Sequence, residues 1–290
     1  MPKCTSTSGC IASLAFKTLV STAELAAALG HWRIFDCRHD LAQPDLGERQ
    51  YREGHVPGAL FAHLDRDLSG AKTGTNGRHP LPSPEAFAAW LGRQGVSAAD
   101  QVVCYDGANG AMAARLWWLL RWVGHEAVAV LDGGFAKWTA EGRPVSTDVP
   151  QPRATQFHLR MRADMAVDAQ AIARTLSSRM LLDARAPARY RGEQEPIDPV
   201  AGRIPGALNR YNLDNVRGNG QFKPAEQLRA EFEQVLGARA AGDVVNYCGS
   251  GVAACHNLLA LEIAGLPGGK LFAGSWSEWI ADPARPREKG

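Results

Sequence analysis

The sequence predicts an α/β protein built from two copies of one unit, each a mostly parallel sheet with helices on both faces. Three observations carry that expectation. The chain has 290 residues, which favours two domains of ordinary size over one. Four sequence blocks recur in the same order in its two halves. Within each half, short apolar runs ending in a polar residue alternate with helix-start signals, the pattern of βα units around a parallel sheet.

In chain order, Ser21-Thr22-Ala23-Glu24 is a capping box ahead of an Ala/Leu-rich run and starts a helix. Ile34-Phe35-Asp36-Cys37-Arg38 reads as a buried strand and matches Leu181-Leu182-Asp183-Ala184-Arg185. Gly54-His55-Val56-Pro57-Gly58-Ala59-Leu60 matches Gly202-Arg203-Ile204-Pro205-Gly206-Ala207-Leu208. Ser83-Pro84-Glu85 and Lys223-Pro224-Ala225-Glu226 each put proline at a first helical position. Residues 101–106 and 127–132 suit buried strands. Val102-Val103-Cys104-Tyr105-Asp106-Gly107 matches Val244-Val245-Asn246-Tyr247-Cys248-Gly249, and Leu131–Trp138 matches Phe272–Trp279. Residues 142–160 hold three prolines and little apolar periodicity, so they form the linker. Two units are therefore expected, at 13–145 and 161–285. Residues 1–12 read as a disordered leader.

Composition excludes several classes. The apolar fraction of 45% supports a real core in each half, and a formal charge of +2 gives no reason to expect nucleic acid or an anionic membrane. No run approaches the ~20 apolar residues of a membrane span. Six cysteines without a CxxC pair argue against a disulfide framework or a structural metal site. A reducing, cytoplasmic setting, a monomer and no cofactor are expected.

The chemistry is expected at Cys248-Gly249-Ser250-Gly251-Val252-Ala253-Ala254-Cys255. Cys248 stands where a strand stops and an apolar helical run, 256–264, is about to start. Ligands of parallel sheets bind at such strand ends. The glycines let the backbone curl, and the inward N–H groups together with the helix N-terminus favour a thiolate. Buried structural packing is the commonest fate of a free cysteine; the strand–Cys–Gly–x–Gly–helix setting favours a nucleophile instead. The first unit has Asp106 at this place, so it is expected to be catalytically silent. Phosphate-ester chemistry in such a loop needs an arginine after five intervening residues to clamp the oxyanion. That position holds Ala254.

These residues resemble the two-domain rhodanese-like sulfurtransferases over about residues 19–280, in the tandem repeat, both Gly-His/Arg-Val/Ile-Pro-Gly-Ala blocks and the cysteine loop. The resemblance implies tandem rhodanese-like domains, the second catalytic, and a ping-pong reaction. A sulfane sulfur would move from 3-mercaptopyruvate or thiosulfate to Cys248 as a persulfide, then to cyanide or a thiol, thioredoxin-like proteins among the acceptors. The alternative is a sulfur-relay module loaded by a protein partner. The loop looks like that of the 3-mercaptopyruvate branch, where the serine matching Ser250 polarises the donor. The basic residues that follow the cysteine in the thiosulfate branch are missing. Ile197, however, stands where the 3-mercaptopyruvate branch carries an arginine after Glu-Pro, and the run 190–201 resembles proteins labelled thiosulfate sulfurtransferases. Arg203 is a candidate for the missing charge.

The resemblance further assigns donor binding to Arg189, with Arg191 as its alternative, and places Gly249, Gly251, Val252 and Ala253 around the donor. It brings Asp65 and His79 of the first unit to the cleft as catalytic candidates; Arg78 adds positive potential there. Arg38 and Arg185, each two residues after a strand-ending aspartate, read as structural partners of a carboxylate. His55 reads as a turn residue and Cys255 as core. Trp117, Trp118 and Trp122 are expected to pack a helix, and Trp276 and Trp279 to line the active face.

Overall fold

A computed structural model describes residues 15–290; the leader expected at 1–12 lies outside the described residues. The first half runs β1 (Leu19–Val20), α1 (Thr22–Ala27), β2 (Arg33–Asp36), α2 (Leu46–Glu53), β3 (Ala59–Phe61), α3 (Pro84–Arg93), β4 (Val102–Tyr105), α4 (Ala113–Trp122), β5 (Val128–Leu131) and α5 (Gly134–Ala140). The second runs α6 (Ala169–Arg174), β6 (Met180–Asp183), α7 (Pro187–Tyr190), β7 (Leu208–Asn209), α8 (Ala225–Leu236), β8 (Val244–Tyr247), α9 (Ala253–Ile263), β9 (Lys270–Leu271) and α10 (Ser275–Trp279).

Both sheets are parallel throughout, in the orders β1-β5-β4-β2-β3 and β7-β6-β8-β9. The duplication is therefore visible as β2/β6, β3/β7, β4/β8 and β5/β9. Where the first half has β1, the second has only a single bridge, Ala166 to Leu271. The hydrogen bonds repeat as well. Arg38 holds Asp36 at 2.6 Å and the Gly54 carbonyl at 2.7 Å; Arg185 holds Asp183 at 2.7 Å and the Gly202 carbonyl at 2.7 Å. The structural role expected for both arginines is what their bonds describe, although Arg185 also borders the pocket described below.

Local signals explain the helix ends. Ser21 and Glu24 form the reciprocal capping box, and Ser83 caps α3 with proline in its first turn. Two expectations need correction. Pro224 is the N-cap of α8, not its first helical residue: it lies just outside the helix, where its missing N–H costs nothing. Helix α9 starts at Ala253, three residues before the expected run, because the small Ala253 and Ala254 continue the loop into the helix.

The halves share one core. Every residue of α4 is buried, since it lies between its own sheet and α9 of the other half. A helix that is apolar around most of its surface, as α4 is apart from Arg115 and Arg121, is stable only when so enclosed. Trp117, Trp118 and Trp122 pack there as expected. Trp276 and Trp279 do not line the active face. Both are fully buried in the second half's outer core, and their indole N–H groups donate to the Val200 and Pro286 carbonyls. Among the described residues no helix is long and apolar enough to cross a membrane.

Candidate active site

Strand β8 ends at Tyr247, and Cys248 follows at the carboxyl edge of the sheet, 3% exposed. Its backbone is clamped by α10: the Cys248 carbonyl accepts from Trp276 N at 3.0 Å, and its N–H donates to Ser275 Oγ at 3.1 Å. Ser275 is the non-glycine residue with positive φ among the described residues, at 54°. Its hydroxyl donates to Phe272 O (2.9 Å), so the strained conformation is tied at both ends. The loop turns at Gly251, φ +80°; a Cβ there would lie 2.2 Å from the Ala273 carbonyl oxygen. That turn aims Gly251 N–H at Cys248 Sγ, 3.1 Å away.

The matching loop of the first half holds a carboxylate of its own chain. The Asp106 carboxylate accepts from the N–H groups of Ala108, Gly110, Met112 and Ala113 at 2.8–3.3 Å. In the first half the loop thus holds an anion that the chain itself supplies.

An arm of the first half, residues 65–82, reaches across to this loop. Arg78 N–H donates to Ser277 Oγ at 3.1 Å. His79 Nδ1 lies 2.8 Å from Ser250 Oγ, and His79 Nε2 lies 3.7 Å from Asp65. Burial, reinforced by the nearby Arg115 cation, pushes the His79 imidazolium down to about 3, against the pull of Asp65. The ring is therefore neutral at ordinary pH. With its proton on Nε2 it faces Asp65 and accepts from Ser250; with it on Nδ1 it donates to Ser250 Oγ and frees the serine proton. Behind it, Lys72 holds Asp65 at 2.9 Å. Burial acts to raise the Asp65 carboxyl, but Lys72 and the neighbouring histidines outweigh it and bring the carboxyl below its usual range. Ligand atoms of His39, His63 and Asp65 cluster within 4.8 Å of one another. The Lys72 ammonium competes with a metal ion there, and His63 Nδ1 already accepts the Asp65 N–H at 3.1 Å.

The opposite wall is cationic but balanced. Arg189 forks onto Glu195 (2.6 and 3.1 Å) and reaches Asp198 at 3.0 Å. Asp198, almost buried, uses its other oxygen on Arg78. One carboxylate thus joins an arginine from each half. Arg78 Nη2 and Arg189 Nη1 make no hydrogen bond among the described residues. They lie 2.7 and 3.5 Å from where a Cβ on Gly249 would stand. Burial acts against the Arg78 cation and Cys248 supports it. Together these groups enclose a pocket of about 280 Å³ whose lining includes Cys248, Ser250, Arg78, Arg189, Met112 and Ile197.

Gly249, Val252 and Ala253 line this pocket, while Gly251 shapes the loop beneath it. Asp65 stands behind His79. Two expectations are not met. Arg191 lies outside the pocket, exposed and paired with Glu193 at 2.6 Å. Arg203 supplies no charge: it is tied to Glu288 and the Gly290 carbonyl and stacks over Tyr190 at 4.5 Å. Cys255 is core, as expected. Because α9 begins early, its thiol donates to the Gly251 carbonyl at 3.2 Å, and burial pushes it up to about 12. Sequence reasoning missed Glu195, Asp198 and Arg115. Proximity to Arg189, six residues before it, was a signal for Glu195; Asp198 and Arg115 gave none.

A family profile described as the rhodanese-like domain matches residues 21–141 and again 166–282. The chain is 47% identical to a probable 3-mercaptopyruvate sulfurtransferase of Pseudomonas aeruginosa, over 94% of this chain and 98% of that one. It is 38% identical to a putative thiosulfate sulfurtransferase of Mycobacterium tuberculosis, with 94% and 98% covered. A solved 3-mercaptopyruvate sulfurtransferase from Leishmania major superposes with a TM-score of 0.83 at 32% identity, over 93% of this chain and 75% of that one. Two parallel sheets, each with a loop at the end of its matching strand, and these matches define one class: the chain belongs to the rhodanese-like domain family. Within that family it is a sulfurtransferase, moving sulfur from a small donor to a thiophilic acceptor.

Proposed function

We propose that this enzyme takes sulfur from 3-mercaptopyruvate onto Cys248 as a persulfide and passes it to cyanide or a thiol, thioredoxin-like proteins included. The observation that carries the donor is the Ser250–His79 hydrogen bond beside Cys248, backed by Asp65. A hydroxyl held there by a neutral imidazole suits a donor with a carbonyl and does nothing for thiosulfate.

The Cys248 thiolate attacks the donor's sulfur, and the S–S bond forms as the C–S bond breaks. The bonding electrons pass into the ketone, leaving pyruvate enolate. Ser250 donates to the enolate oxygen as charge develops there, the moment at which a fixed donor is most effective. The donor's thiol proton ends on the pyruvate methyl group. The persulfide keeps its negative charge in the loop's N–H cradle. Arg189 and Arg78 present free amino groups to the donor carboxylate. Glu195 and Asp198 already offset both cations, and a balanced site suits a monoanion better than dianionic thiosulfate. Both halves of one chain supply the pocket, which supports a monomer as the working unit.

Ile197 favours a second reading, with thiosulfate as donor. The comparison of kcat/KM for the two donors decides. A preference of tenfold or more for 3-mercaptopyruvate, ~1.4 kcal/mol of transition-state binding, is expected; equal or reversed values reject the donor assignment. Loading of Cys248 only by a protein partner, with neither small donor active, would make the protein a relay module.

A further inference from the structure

Arg115 is the third residue of α4, the place that Cys255 holds in α9. The two meet at one atom. Cys255 Sγ donates to the Gly251 carbonyl at 3.2 Å, and Arg115 Nη1 donates to the same oxygen at 3.4 Å from the other half. Its second amino group, Nη2, donates to the carbonyls of His79 (3.0 Å), Leu68 (3.3 Å) and Pro80 (3.4 Å), all on the arm that carries His79. Arg115 is fully buried, its Nε has no partner, and no carboxylate pairs with it among the described residues. Burial works against its charge, with Cys255 and then Cys248 as the groups that support it. A buried cation held only by carbonyl dipoles is costly, and a guanidinium does not escape by losing its proton.

We propose that Arg115 is a positioning residue for sulfur transfer: from the silent half, it locks the His79-bearing arm to Gly251 of the active loop and so sets the Ser250–His79 hydrogen bond. The assignment rests on the roles proposed above for Ser250 and His79. The fork geometry matters, because one planar group reaches four carbonyls on two segments that meet at the boundary between the halves. The charge matters too. His79 faces Ser250 on one side and Asp65 on the other, with His39 and His63 behind Asp65 and with Lys72, Arg78 and Arg115 as the surrounding cations. Asp65 favours the protonated ring and the three cations oppose it.

The test uses the full chain with Arg115→Met and Arg115→Lys. Ring resonances of His79 are followed by NMR against pH without any donor, so the result stands whichever donor the enzyme prefers. Arg115→Met is expected to raise the His79 midpoint by about one pH unit or more. It should also shift the acid limb of kcat/KM the same way and lower kcat at least tenfold. Arg115→Lys retains the charge but spans fewer carbonyls; a midpoint close to the original with a reduced kcat is expected. A folded Arg115→Met protein with unchanged midpoint and kcat overturns the proposal. If Arg115→Met does not fold, Arg115→Lys decides alone, and an unchanged kcat there overturns it.

Discussion

Ser250 sits 4% exposed at the junction of the two halves, with its hydroxyl on His79. Its proposed work is confined to a donor that becomes an enolate. Ser250→Ala is therefore expected to lower kcat for 3-mercaptopyruvate on the order of 100-fold while leaving thiosulfate turnover nearly unchanged. Equal losses with both donors would mean that the hydroxyl shapes the loop and does not act on the donor. At this scale the sequence was informative wherever a residue belonged to a local motif. Cys248, Ser250 and Gly251 share one loop, and the missing arginine at Ala254 narrowed its chemistry. Asp198 was hidden because its meaning depends on Arg78, 120 residues away. Arg191 misled for the opposite reason: two residues from Arg189 in sequence, it points to Glu193 at the surface.

Among the elements, the active loop is set by what surrounds it more than by its own residues. Gly251 has φ +80° and faces the Ala273 carbonyl, so any side chain both strains the turn and collides with backbone. Gly251→Ala is expected to displace the N–H that points at Cys248 Sγ and to abolish turnover with either donor. Circular dichroism should stay near that of the parent chain, and a variant with more than a tenth of parental kcat would contradict this account. The central strands β2, β4, β5, β6 and β8 were legible as apolar runs, since parallel strands are buried on both faces, whereas the two- and three-residue strands β1, β3, β7 and β9 were not. Nor was the early start of α9. Ala253 and Ala254 carry no capping signal, and their helical state follows from packing against α4. The tryptophans of α10 misled because large aromatics near a motif suggest a pocket wall, whereas here they anchor the helix that clamps Cys248 from below.

At the scale of the molecule, two neutral histidines bridge the halves in opposite directions. His79 of the first half meets Ser250 of the second, and His256 of the second meets the Asn109 carbonyl of the first at 2.9 Å. Burial, first among the causes, takes them down to about 3 and about 4. The unfolded chain takes up these protons near 6.5, so the stability they give is complete above that pH and is lost as pH falls toward 4 and 3. Between pH 6.5 and 5 each is expected to withdraw about 2 kcal/mol. Urea midpoints measured at both pH values check this: a marked fall is expected, with a smaller one for His256→Asn, and a flat profile would refute it. Because one core cluster runs through both halves, the loss should appear as a single transition. The repeat made the two halves plain in the sequence. Their interdependence was legible only in part: the family resemblance brought His79 to the cleft, whereas Arg115 and His256 act on partners that only the docked halves bring near.

The Asp106 carboxylate, bonded to four N–H groups of its own loop, bears on the stoichiometry expected of the enzyme. An anion tethered by its own backbone cannot be diluted away or exchanged, so the first cradle is permanently occupied and never competes for cargo. With sulfur carried only on Cys248, as proposed above, each chain is expected to have a capacity of one transferable sulfur atom. Treating fully charged protein with excess cyanide should release one equivalent of thiocyanate per chain and then stop.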